Sequence, residues 1–81
     1  MKHRDIETLP NFDNMHDADV IAWASAAQNA YPAVVVAHAV RYAAIMMGAR
    51  EARRLGDVQT ARRKEQICDD IYNGLPAPYR W

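Results

Sequence analysis

Residues 32–57 read PAVVVAHAVRYAAIMMGAREARRLGD, and the period of this stretch decides the fold. From Ala33 to Ala49 only His38 and Arg41 are polar. On a helical wheel Val35, Tyr42 and Met46 fall on one side, Val36, Val40 and Met47 on another, and Val34 and Ile45 on a third. A helix apolar nearly all round is either buried on every side or spans a membrane. A span needs about 20 apolar residues, whereas this run is shorter, alanine-weak and twice interrupted. Burial inside protein is therefore expected, with no membrane partner. The β-branched run Val34-Val35-Val36 makes no strand, because it sits in an alanine-rich helical pattern behind a proline.

The ends of the stretch carry their own punctuation. Pro32 disfavours a helical Tyr31 and suits the first turn of a new helix, so a long helix is expected over 32–55. Gly56 supplies the left-handed cap and Asp57 an N-cap, so a further helix runs over 57–73 until Gly74 and Pro76 stop it. The product is a tight antiparallel helical hairpin. Residues equidistant from Gly56 then lie level, which sets Arg41 near Asp70, Ala44 near Cys68 and His38 beside Gly74. An ion pair of Arg41 with Asp70 or Asp69 is expected, and Glu65, placed inward between Ala61, Cys68 and Tyr72, needs a partner.

Working outward, Asp17 is a good N-cap for a first helix over 17–29, with Val20, Trp23, Ala24, Ala27 and Tyr31 as its inward stripe. Residues 1–16 show no sustained period and read as an extended arm that Leu9 and Phe12 can pin to the core. Residues 74–81 form an aromatic tail. The expected architecture is all-α: one three-helix domain over 17–73 with a long central helix. Leu55, Gly56 and Asp57, with Ala61 and Cys68 in the next helix, are similar to the turn and second helix of a tetratricopeptide-type hairpin. Asn73 stands where that pattern has proline and Glu65 where it has an inward aromatic, and there is no second repeat, so the resemblance implies packing logic and no family.

Composition narrows the function classes. The 81 residues are 51% hydrophobic, but fifteen are alanines, which favour helix while burying little area. So thin a core often leans on an oligomer. Cys68 is the only cysteine, which rules out an internal disulfide, and no Cys/His spacing suits a zinc site. A reducing, cytoplasmic setting is expected, and the start of the chain lacks the apolar run of a secretory signal. Ten basic and ten acidic residues cancel, yet residues 1–40 carry two basic side chains against five acidic ones and residues 41–81 eight against five. That polarity can hold the N-terminal part on the C-terminal part.

Three groups of residues could carry function. Ala37, Ala44 and Gly48 form a small-residue row that admits another helix, either the first helix of the same chain, which leaves a monomer, or one of a second molecule; with Val36, Val40 and Met47 they make the expected interface with a second copy or a protein partner. Tyr79 and Trp81 are expected as aromatic anchors for the same purpose, or as a tail folded back on the long helix. Arg50, Arg53, Arg54, Arg62, Arg63 and Lys64 make the hairpin tip basic. Within it Arg53, Arg54, Gln59, Arg62, Arg63, Lys64 and Gln66 are the candidate nucleic-acid contacts. Against that use stand the zero net charge, Asp69 and Asp70 on the same face, and the lack of interleaved aromatics.

Catalysis finds no support. There is no glycine-rich phosphate loop, no nucleophile with a base at usable spacing and no paired carboxylates in a cleft. His38, Glu65 and Cys68 do not converge, His16 among Asp13, Asp17 and Asp19 reads as a capping turn, and Cys68 reads as a buried, inert thiol. The sequence thus points to a small helical interaction module, an adaptor, inhibitor or assembly subunit that self-associates, with no cofactor, metal or small-molecule substrate. The alternative is a nucleic-acid-binding regulator using the basic tip.

Overall fold

A computed structural model of the chain describes residues 8–27 and 29–81. Three helices run in order, α1 over Asp17–Ala26, α2 over Ala33–Arg54 and α3 over Val58–Gly74, with single 3-10 turns at Phe12–Asn14 and Ala77–Tyr79. No strand occurs among the described residues.

The hairpin forms as its turn residues require. Gly56 has φ +81°, the left-handed conformation in which a side chain is costly. Its N–H donates to the Arg53 carbonyl at 3.0 Å and that of Asp57 to the Ala52 carbonyl at 2.8 Å, the bond pattern of a Schellman cap. The Asp57 carboxylate then accepts from the Thr60 N–H at 3.1 Å, opening α3. The expected level pairing is seen where His38 lies beside Gly74: a Cβ there would sit 3.7 Å from His38 Nε2. It does not produce the Arg41 ion pair. Among the described residues Arg41 reaches neither Asp69 nor Asp70. Both partners of the expected Arg41–Asp70 pair are exposed on the lip of a shallow groove, where water solvates them, and Asp70 accepts from Gln66 Nε2 at 3.3 Å instead.

The first helix is shorter than its period suggests and starts differently. It ends at Ala26, the Ala27 N–H donates to the Trp23 carbonyl at 2.9 Å and that of Ala30 to the Ala27 carbonyl at 3.0 Å. The chain is turning ahead of Pro32, which disfavours a helix through Tyr31; Gln28 lies outside the described residues. At the other end His16, not Asp17, is the N-cap, and its side chain makes no capping bond. Asp17 is drawn to Arg50 instead, 2.8 Å away.

Both terminal segments contribute to the core. Leu9, Phe12 and Leu75 are essentially fully buried, with Val20, Val35, Ala39, Tyr42, Met46, Cys68 and Ile71 around them. Leu9 and Phe12 pin the arm as expected, while its residues 1–7 lie outside the described residues. The Leu9 N–H donates to the Tyr79 carbonyl at 3.0 Å, and the Thr8 hydroxyl to that of Pro78 at 3.3 Å. Arm and tail thus close over one end of the hairpin. All seven aromatic side chains of the sequence join in one connected cluster: Phe12 touches Trp23, Tyr42 and Trp81; Trp81 touches Tyr42 and Tyr72; Tyr31 links Trp23 to Tyr79. Offset and edge-to-face pairs of this kind add to area burial.

Candidate interaction surface

With α3 and the terminal segments on one side of α2 and α1 on another, one face of the long helix has no neighbour among the described residues. Ala33, Val34, Ala37, Val40, Arg41, Ala44, Glu51 and, at the C-cap, Leu55 are exposed along it. Val34 is 59% exposed, Val40 41% and Leu55 67%, so the face is largely apolar, with Arg41 and Glu51 as its charges. On the α1 side Val40, Ala44 and Met47 share a groove of about 290 Å³ with Ile21 and Ala24, and Ile21 is itself exposed. Exposed apolar side chains gathered on one helix face, with the charged Arg41 and Glu51 among them, are the composition of a binding surface more than of a solvated one.

The expected interface residues separate on this geometry. Val40 and Ala44 lie open, Met47 and Val36 are half-buried, and Ala37 faces the groove beside Ile67 and Asp70. Gly48 lies next to the Lys64 stem, whose Cδ is 3.3 Å from where a Gly48 Cβ would sit. Its smallness therefore admits a side chain of α3 at its edge. Tyr79 and Trp81, expected as anchors for a partner, are half-buried in the chain's own aromatic cluster. The tail folds back because Phe12, Tyr42 and Tyr72 offer ring partners. The Tyr72 hydroxyl donates to the Trp81 carbonyl, and Arg80 donates to the Leu75 and Asn73 carbonyls at 3.0 and 2.8 Å.

The basic tip is largely neutralised within the chain. Arg53 makes a two-pronged pair with Glu65, at 2.6 and 2.8 Å. This supplies the partner Glu65 called for; the hydrogen bonds from Arg53 hold its carboxyl below the usual carboxylate range. Arg54 pairs likewise with Glu51 one turn back. Arg50, read from sequence as part of the tip, reaches away from it to the carbonyls of Met15, Phe12 and Asp13 and to Asp17. Gln66 is engaged with Asp70. Arg62, Arg63 and Gln59 remain exposed, and no described ion pair within 4 Å involves either arginine.

A second concavity of about 280 Å³ lies between α2 and α3 over Tyr42 and Cys68, rimmed by Asp13, Arg50, Arg53, Glu65 and Asp69. Its polar groups serve the fold. The Tyr42 hydroxyl donates to Asp13 at 2.7 Å, and burial with that bond drives its pKa upward. Burial pushes the Cys68 thiol up to about 11, which leaves it protonated and unreactive near neutral pH. Among the described residues no group of three or more His, Cys, Asp or Glu is placed to hold a metal ion.

No protein-family model, curated protein or solved structure matches the chain. The reading of this surface therefore rests on its own chemistry. By length and composition α2 could cross a membrane, with a mean hydropathy of 1.2 over its 18-residue window; 33% of that window is buried inside the protein, and Ala39, Tyr42 and Met46 of the same helix belong to the core.

Proposed function

We propose that the chain is a small helical interaction module, an adaptor, inhibitor or assembly subunit, which self-associates through the open face of α2 and carries out no catalysis. The observation that supports this reading is the run of exposed apolar side chains, Val34, Val40 and Leu55 with Ile21 beside them, along the longest helix of an alanine-rich core. Removing such a face from water is favourable by roughly 25 cal/mol per Å² of apolar area.

Sedimentation velocity from about 1 to 500 μM, a range bracketing micromolar association, tests it. A reversible rise from monomer to dimer mass is expected, together with loss of the dimer on Val40→Glu at unchanged helix content. A monomer mass over the whole range would remove self-association from the reading.

A further inference from the structure

Along the open face of α2, residues recur at alternating spacings of three and four: Val34, Ala37, Arg41, Ala44, Gly48, Glu51 and Leu55, all exposed except the half-buried Gly48. This is a heptad seam, with Val34, Arg41, Gly48 and Leu55 at one core position and Ala37, Ala44 and Glu51 at the other. It lies on the opposite side of the helix from the buried Val35, Ala39, Tyr42 and Met46, so it is independent of the core. Two charges interrupt it, Arg41 and Glu51. Arg41 has no ion-pair partner among the described residues, while Glu51 is paired only by the exposed Arg54.

Resting on the self-association proposed above, we infer that the partner is a second copy of this chain, packed antiparallel along α2 about a two-fold axis level with Met46, so that Arg41 of each copy pairs with Glu51 of the other. Charge selects the orientation. A parallel pair would stack Arg41 on Arg41 and Glu51 on Glu51, like charges directly opposed. Antiparallel registers one heptad away would set Arg41 opposite Ala44 or Val58 and Glu51 opposite Val34 or Gly48. Only the register centred at Met46 matches both charges, and it matches them twice.

The other layers agree with this register. Ala44 faces Gly48 at the centre, where small residues let helix axes approach to about 8 Å. Ala37 faces Leu55 at each end, covering the most exposed of the large apolar side chains. The flexible Lys64 stem at the edge of Gly48 stays at the rim. The seam is about 33 Å long at 1.5 Å per residue and one helix wide, which places the contact at the small end of specific interfaces and makes the dimer concentration-dependent. Polar pairs at seam positions specify register more than they add stability.

The test uses the full chain and two charge reversals, Arg41→Glu and Glu51→Arg, both at exposed positions outside the core. Sedimentation velocity is run on the wild type, on each variant, on their equimolar mixture and on the double variant, with circular dichroism as the folding control. Each single reversal is expected to raise the dimer dissociation constant about tenfold or more, the size of coupling expected for contacting charges. The mixture is expected to form a heterodimer, because the two Glu of one variant then meet the two Arg of the other, and the double variant to recover the wild-type constant. A wild-type dimer indifferent to both reversals, or a mixture that stays monomeric, overturns the antiparallel seam while leaving self-association standing. A wild type that is monomeric throughout overturns both.

Discussion

Arg50 joins the N-terminal segment to the long helix through one guanidinium. Its bonds to three carbonyls and to Asp17 run from 2.8 to 3.2 Å, and the side chain is 34% exposed, so solvent screens part of the effect. Arg50→Met keeps the stem but strands those carbonyls, and should lower unfolding free energy by about 1–2 kcal/mol in urea titrations. Arg50→Lys should recover less than half of it, because an ammonium cannot span the same fork of acceptors. Titration offers a second residue-scale test. Burial raises the Cys68 thiol from its ordinary 9.0 to about 11 and drives the Tyr42 phenol upward as well. Folding thus favours both protonated forms; the Cys68 contribution is complete below about pH 9 and is lost as pH rises through its folded value, and that of Tyr42 is lost at higher pH. Thermal melts between pH 8 and 11 should show a falling midpoint, and Cys68→Ala should flatten the slope. That the thiol is buried and inert was legible from its place on an alanine face. The role of Arg50 was not, because its acceptors are backbone carbonyls 35 to 38 residues away, which leave no pattern in sequence.

The elements divide by the range of the interactions that define them. The hairpin was legible because each signal is local: Pro32 before α2, Gly56 at φ +81°, and the Asp57 cap on Thr60. Gly56→Ala should therefore cost about 1–2 kcal/mol, although nothing lies within 4 Å of the added methyl. Gly48→Ala should be neutral or stabilising in the monomer by up to about 1 kcal/mol, since only the movable Lys64 stem must give way. Comparing the two by chemical denaturation separates backbone conformation from space. The tail is the contrary case. Its folding back depends on Phe12, Tyr42 and Tyr72 meeting Trp81, contacts made by tertiary structure alone, so sequence left its two uses open. Trp81→Ala should destabilise by about 2–4 kcal/mol, toward the lower end for a side chain only half buried, and should quench much of the near-ultraviolet circular dichroism of the cluster.

On the scale of the whole molecule, charge decides what the surface can hold. The excess of acid in the first half and of base in the second is partly consumed by Arg50 with Asp17, while at the hairpin tip Arg53 with Glu65 and Arg54 with Glu51 neutralise each other within the second half. Of the candidate nucleic-acid contacts this leaves Arg62, Arg63 and the Lys64 head without an ion pair within 4 Å among the described residues. Each phosphate neutralised by a cation steepens the salt dependence of duplex binding by about 0.9 in log K against log salt. Three cations would give a slope no steeper than about −3, too few for tight binding at physiological salt. Fluorescence anisotropy with a labelled duplex at about 50 and about 200 mM salt should therefore show at most weak binding, changing by less than about a hundredfold between the two and abolished by Arg62→Glu with Arg63→Glu. A slope of about −5 would require Arg50, Arg53 and Arg54 to leave their internal partners. Such a slope would make the tip, rather than the open face of α2, the surface through which this protein acts.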